Sequence, residues 1–285
     1  MVKVSRHDYP STNLEKAVEL FTKDVERKIS TLPRSAERFS GTLGSALRIF
    51  NIRCAEDQQA ERLETWESLV TAMQVSSALF TSARATTDTF DALIGHKKLT
   101  LKGGALPWAH AGNWLTAFWL ACVCREKRRL NELCEVPVSL LRQSGAVFDE
   151  YIYDWVEALQ AYWLNRPELG DKLVAAVDGT DPDALRYADA SGVLRIAYPP
   201  MNLLTQLARG DQQKFNAELV NALEWHKGYW TRDEERELEP EGVTALGPMA
   251  VTCLAIEAGF DIDVESEYLP ACLLARDWVG EFPTS

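Results

Sequence analysis

Polar residues almost vanish from Asn113 to Cys124, where only Asn113 and Thr116 interrupt an apolar run that begins beside Gly112 and stops at Arg125. The run is too short to span a bilayer, which takes roughly 20 apolar residues. It predicts a helix that is apolar all round and therefore has to be covered by other helices. The charged turn Arg125-Glu126-Lys127-Arg128-Arg129 follows, and Leu130, Leu133 and Cys134 then recur at helical spacing until Pro137 interrupts. After Ser144-Gly145, Phe148, Ile152, Trp155, Leu159, Tyr162 and Trp163 fall on one helical face, with Glu150, Asp154 and Glu157 on another.

The same period runs through most of the chain. Ser11-Thr12-Asn13 precedes Leu14, Ala17, Val18, Phe21, Val25 and Ile29, which predicts a capped amphipathic helix ending before Pro33. Ser40-Gly41 opens a second helix with Leu43, Leu47, Phe50 and Cys54 on its buried side, and the small apolar residues from Ala72 to Ala85 suit a tightly packed central helix. One interruption has the look of strand. Thr89 to Ile94, the turn Gly95-His96 and Leu99-Thr100-Leu101 predict a short β-hairpin near residues 89–101, with His96 as a solvated turn residue. Beyond the central stretch, helices are expected after Arg166-Pro167 (Leu169, Leu173, Val174, Val177), after Pro199-Pro200 and after Asp211, with a turn and N-cap at Asp178-Gly179-Thr180-Asp181-Pro182. A last one opens at Gly247-Pro248 and is capped by Gly259. Residues 184–198 alternate without settling on either period.

Polar turns at Arg125-Glu126, Asn165-Arg166 and Arg209-Gly210-Asp211 recur about every 40 residues, a spacing that suits stacked helix hairpins. The expected fold is all-α, packed antiparallel helix hairpins between a bundle and a short solenoid, as one domain over residues 1–285. Its sub-parts would be the N-terminal helices and hairpin (1–104) and a helix-hairpin array (105–285).

Charge changes this picture more than composition does. The net charge is −12, yet residues 231–285 hold 13 acids against Arg232, Arg236 and Arg276, leaving 29 acids against 27 basic residues in the rest. A localised negative field repels nucleic acid and anionic membrane and steers a basic partner. Its sharpest part is the stretch of Asp233, Glu234, Glu235, Glu237, Glu239 and Glu241, which follows Trp230, an aromatic candidate anchor. Asp261, Asp263, Glu265 and Glu267 form a second row, opposite Ile262 and Val264 if the segment is extended; it lacks the loop glycine and spacing of an EF-hand. Six cysteines sit in apolar helical patterns with no Cys-x-x-Cys pair, which suits reduced buried thiols in the cytoplasm, and neither a leader nor a membrane span is expected.

Catalytic signatures are sparse. The glycine-rich phosphate loops, Gly-x-Ser-x-Gly, His-Glu-x-x-His and Glu-x-x-His are all missing. His226 lies among aromatics in Glu224-Trp225-His226-Lys227-Gly228-Tyr229-Trp230, where a packed histidine fits better than a base. The best enzymatic candidate is Asp149-Glu150-x-x-x-Asp154, since acidic helical clusters hold Mg²⁺ against a diphosphate in all-helical terpene-type enzymes, although no second metal motif follows.

Five blocks carry a resemblance: NWLTAFWLA from Asn113, DEYIYDWVEALQAYW from Asp149, YPPMNL from Tyr198, HKGYWT from His226 and VESEYLP from Val264. Together they resemble the immunity protein 49 family, from Arg6-His7-Asp8 to Gly280-Glu281-Phe282-Pro283. The resemblance implies an all-helical protein of a bacterial polymorphic toxin system that neutralises a toxin made by the same or a sister cell. It carries over no catalytic or binding residue. The expectation is a cytoplasmic, cofactor-free, non-enzymatic protein that binds a cognate toxin with a basic surface. Asp233, Glu234, Glu235, Glu237, Glu239, Glu241 and Trp230 would form the contact, with neither nucleic acid nor membrane as partner. The alternatives are a helical-repeat scaffold for another protein and a metal-dependent enzyme using Asp149, Glu150 and Asp154.

Overall fold

In the computed structural model, which describes residues 1–10, 13–281 and 284, a two-residue strand, β1 (Val2–Lys3), precedes three helices: α1 (Leu14–Thr31), α2 (Arg38–Glu56) and α3 (Leu63–Arg84). Of the expected cap at α1, Ser11 and Thr12 lie outside the described residues, as do Phe282 and Pro283 at the far end of the resemblance. Asn13 holds the cap position at φ 68° with no side-chain capping bond. α2 starts ahead of Ser40-Gly41. The fully buried Phe39 makes the first turn part of the core, and Thr42 Oγ1 donates back to the Arg38 carbonyl.

The hairpin forms where its alternation puts it. β2 (Thr89–Ile94) pairs antiparallel with β3 (Lys97–Lys102), Phe90 opposite Leu101 and Ile94 opposite Lys97. Gly95 and His96 both have positive φ, 51° and 63°, the mirror-image turn that matches strand twist. α3 holds the tip: Gly95 N–H donates to Gln74 Oε1 at 2.8 Å, and His96 Nε2 lies 3.2 Å from Glu67 Oε1. His96 is thus exposed but partnered.

The apolar run is helix α4 (Ala111–Val123), whose N-terminus His110 caps by accepting from Asn113 N–H at 3.2 Å. After it come α5 (Lys127–Cys134), α6 (Val138–Gln143), α7 (Tyr151–Trp163), α8 (Leu169–Asp178) and the three-residue α9 (Ala190–Gly192). α9 opens into a π-helical turn over Val193–Ala197, which accounts for the unsettled stretch, and leads to α10 (Tyr198–Arg209) and α11 (Gln212–Trp230). The single turn α12 (Glu234–Glu237), α13 (Leu246–Glu257), strand β4 (Val264–Glu265) and α14 (Ala271–Ala275) complete the order. Helices α3, α5, α6, α7 and α13 close around α4, whose Trp114, Ala117, Phe118, Leu120 and Ala121 are wholly buried. Buried apolar side chains form one connected cluster from Val4 to Leu273. α8 is covered on one side only: Leu173 and Ala176 are buried, whereas Val174, expected inside, is exposed.

The recurring turns share one geometry. Arg125, Asn165 and Gly210 are all left-handed, at φ 56°, 52° and 70°. In each, the next N–H reaches back five residues: Glu126 to Ala121, Arg166 to Ala161, Asp211 to Gln206. This is the Schellman ending, which satisfies the last helical carbonyls while reversing the chain. It produces the helix hairpins α4–α5, α7–α8 and α10–α11.

Arg125 is not a residue that left-handed backbone favours. Its guanidinium holds it there, donating to the carbonyls of Val123 (2.7 Å) and Leu274 (2.9 Å) and to Cys253 Sγ (2.8 Å). Nε lies 3.7 Å from Glu257, which Arg276 also pairs at 2.9 Å. One 5%-exposed side chain thus ties the α4–α5 turn to α13 and α14.

The termini meet in a pairing no local pattern announces. β1 lies parallel to β4, Val2 opposite Val264. Below it, His7 Nδ1 and the Tyr268 hydroxyl lie 2.7 Å apart, and the Tyr268 ring packs edge-on against His226 at 4.8 Å. His226 Nε2 donates to the Gly242 carbonyl at 3.0 Å, so its N–H sits on Nε2.

Two tests follow from these buried groups. Arg125→Ala should cost about 3–5 kcal/mol in urea denaturation, because it strands the groups the guanidinium serves; a loss under about 1 kcal/mol would make the clamp dispensable. Burial pushes the His226 imidazole down to about 4 from its ordinary 6.5, and the Gly242 bond only partly offsets this. The unfolded chain takes up this proton near pH 6.5 and the folded chain does not. The contribution of His226 is therefore complete above pH 6.5 and is lost as pH falls to about 4, roughly 3 kcal/mol in all. Burial likewise lowers His7. Denaturation between pH 7 and pH 4 should show this slope, and His226→Gln should flatten it.

Candidate interaction surface

α11 carries the sharpest acidic segment at its C-terminal end. The chain leaves the helix at Trp230, and Asp233, extended at φ −151°, caps α12 by accepting from Arg236 N–H at 3.0 Å. Acids in the first turn of a helix are favoured by its dipole, which helps Glu234 and Glu235 to sit side by side. Arg236 folds inward, 3.5 Å from Asp233 Oδ2 and 4.3 Å above the Tyr229 ring. The chain then tightens into a 3₁₀ turn over Pro240–Val243, in which Pro240, Gly242 and Val243 are buried.

This segment is anchored from inside. Gly242 lies so close under the Trp230 indole that a Cβ would stand 2.8 Å from the ring, and its carbonyl is the acceptor for His226. The Tyr9 hydroxyl donates to Leu238 O at 3.4 Å, and Arg48 of α2 lies 3.8 Å from Glu239 Oε2. Asp233, Glu234, Glu235 and Glu241 remain exposed; Glu237 and Glu239 are half-buried. Trp230 is half-buried too, turned toward His226 and Tyr229.

The second row runs alongside α11. The N–H groups of Asp261 and Asp263 donate to Gln212 and Asn216 at the start of α11, whereas Tyr268 reaches His226 near its end. Alternation is kept: Asp261, Asp263 and Glu265 face solvent while Val264 and Ser266 are buried. Lys3 lies 3.5 Å from Glu265 and 3.6 Å from Glu267, and the Arg6 N–H donates to Glu267 at 3.0 Å. The C-terminal half of the row is thereby partnered. Exposed acids remain at both ends of α11, a helix of 19 residues and about 28 Å. The acidic excess of the C-terminal fifth is therefore divided, with Glu257 withdrawn to Arg125 and Arg276.

Asp149, Glu150 and Asp154 are drawn apart. Asp149 is buried and accepts the backbone N–H groups of Arg186 (2.8 Å), Tyr187 (3.2 Å) and Ala188 (2.9 Å), pinning the loop before α9. Burial raises its pKa, but the three donors outweigh burial and hold it below the usual value. Glu150 forms a two-pronged pair with Arg142 at 2.9 and 2.6 Å, and Lys172 bridges Asp154 (3.2 Å) and Glu157 (2.6 Å). The metal-enzyme alternative needed these carboxylates to converge; each has its own cation or backbone partner instead. No group of three or more His, Cys, Asp or Glu side chains among the described residues is placed to hold a metal ion, and no helix among them is long and apolar enough to cross a membrane.

Beside the acidic segment lies a feature that the linear pattern does not carry. Trp230 lines a cavity of about 360 Å³ between α2, α4, α7, the π turn and the start of α13. Its lining comes from segments more than 150 residues apart.

The sequence profile of the family described as Immunity protein 49 matches residues 57–273. The chain belongs to the immunity protein 49 family. Its matched span takes in α3 to the start of α14 and includes the whole acidic segment. Neither a curated protein nor a solved structure matches the chain. Membership implies an immunity protein, and with it a toxin as partner.

The anchoring role of Asp149 predicts a specific pattern. Asp149→Ala should cost roughly 1–3 kcal/mol by removing the acceptor of three backbone N–H groups, whereas Glu150→Gln and Asp154→Asn should each cost under about 1 kcal/mol. Millimolar Mg²⁺ should shift the melting temperature of none of them. A Mg²⁺-dependent rise lost in Asp154→Asn would restore the metal reading.

Proposed function

We propose that the protein binds a cognate toxin in the cytoplasm and neutralises it by protein–protein contact, without chemistry of its own, and that the segment from Trp230 to Glu241 forms part of the contact. Family membership supports the general role. The observation that carries the finer reading is the exposure of Asp233, Glu234, Glu235 and Glu241 on a backbone fixed from inside by Pro240, Gly242 and Val243. An acidic surface of this kind complements a basic groove, the substrate site of many nucleases, and speeds encounter by long-range attraction. Because the segment is already ordered, little conformational entropy is lost on docking. The six cysteines are free thiols, in keeping with a reducing compartment.

The test is a pull-down from the source organism at low and high salt, followed by expression of the captured protein with and without this chain. A basic partner, toxic alone and harmless in co-expression, is the expected result. Glu234→Lys with Glu235→Lys should slow association on the order of tenfold at low ionic strength, with the difference collapsing at about 0.5 M salt. Neither residue caps a helix or pairs with a cation among the described residues, so the melting temperature should hold. An unchanged association rate would remove the acidic segment from the contact.

A further inference from the structure

The cavity beside the acidic segment has walls of one character and a mouth of another. Trp119 and Trp155, 5.9 Å apart between ring centres, form one wall with Leu115 and Ile152, and Phe50 and Trp230 line the cavity as well. Its buried polar groups are already engaged: Thr244 Oγ1 donates to Asn51 Oδ1 at 2.7 Å, and His226 Nε2 donates to Gly242 O. One is not engaged. The indole N–H of Trp230 is buried and has no acceptor among the described residues.

The exposed lining residues are charged. Glu241, the last acid of the acidic segment, is one; Arg195 is the other, and its guanidinium lies across Gly228 of α11, where a Cβ would meet Nη1 at 2.7 Å. Arg195 has no ion-pair partner among the described residues. It stands on the π turn, a strained form of helix often found at functional positions.

We infer that this cavity receives a bulky apolar side chain, best an aromatic one, from a basic peptide segment of the toxin. The inference rests on the proposed toxin binding and deepens it. A volume of about 360 Å³ suits one large side chain with part of its backbone, the low end of the range for ligand pockets. An aromatic ring gains both from the tryptophan walls and from the Arg195 cation at the rim. The Arg195 guanidinium at the rim can donate to a backbone carbonyl, which a peptide brings beside every side chain and a hydrocarbon does not. Glu241 and the acids before it favour a basic neighbour in the inserted segment. The arrangement is that of a binding hot spot, a dry aromatic pocket inside a charged rim.

The experiment uses the whole chain and N-acetyl-phenylalanine amide as probe, followed by the indole N–H resonance of Trp230, assigned with Trp230→Phe. Saturable displacement of that resonance at about millimolar probe is expected, and its loss in Ala197→Phe, which fills the cavity from the π turn. An unmoved resonance at saturating probe, or an equal response to benzene, would overturn the peptide assignment; the wild-type titration decides this even if Ala197→Phe fails to fold. With the captured toxin, a folded Ala197→Phe should bind at least tenfold more weakly. If it binds as tightly as the wild type while Glu234→Lys with Glu235→Lys does not, the pocket is wrong and the acidic contact stands. If no toxin is captured, the proposed function falls, and the probe titration still judges the pocket.

Discussion

Helix α4 has no face to give to water, and the rest of the chain is arranged to meet that constraint. Each large apolar side chain that it buries is worth roughly 1.5–3 kcal/mol only if a neighbour closes over it. Closure comes from α3 on the N-terminal side and from α5, α6, α7 and α13 on the C-terminal side. The chain has to reverse as soon as α4 ends, and the reversal happens inside the protein. That is why a left-handed, 5%-exposed arginine stands there. A glycine would relax the backbone at Arg125 but would leave two carbonyls, a thiol and Glu257 without their shared donor.

Much of this was legible in the chain because helices and turns are local. The apolar run at α4, the aromatic stripe of α7 and the leucines of α10 carry a 3.6-residue period that packing does not alter. The roughly 40-residue recurrence marked a real structural repeat, the left-handed helix ending at Arg125, Asn165 and Gly210. What could not be read locally depends on distant partners. β1 is a strand only because β4 lies beside it, 262 positions away. The stretch 184–198 settles on neither period because it runs from loop through the short α9 into a π turn, which widens the helical period at Val193–Ala197. The start of α2 was misplaced because Ser40-Gly41 resembles a start signal, whereas the burial of Phe39 decides.

The candidate site divides along the same line. Charge counts along the chain located the acidic excess and its densest segment, since composition survives folding unchanged. They gave no hint that the Lys3 ammonium and the Arg6 backbone N–H, at the opposite end of the sequence, engage Glu265 and Glu267 and leave exposed acids apart at the two ends of α11. Asp149, Glu150 and Asp154 posed the converse problem. Helical spacing places acids near one another, but the energy of a buried carboxylate is set by its donors, and for Asp149 those come from the loop at Arg186 to Ala188. The cavity was invisible for the strongest reason: Phe50, Trp119, Trp155, Arg195 and Trp230 share no local pattern at all.

The position of the acidic segment also makes energetic sense. Six acids within nine residues, Asp233 to Glu241, repel one another in the folded chain, at a few tenths of a kcal/mol for each close exposed pair. A free loop would relieve this by spreading. Here it is prevented by contacts on the inner side of the same backbone: Gly242 beneath Trp230, its carbonyl on His226, Leu238 on Tyr9. The interior thus holds the carboxylates closer than they would settle alone. That self-repulsion is a stored unfavourable term that a cationic partner, if one docks as proposed, would relieve in addition to the attraction it gains. The pH sensitivity of His226 bears on the same segment, since its neutral ring anchors Gly242. Acid protonates the unfolded chain at this position before the folded one, and so lowers the stability of the fold that keeps the charges together.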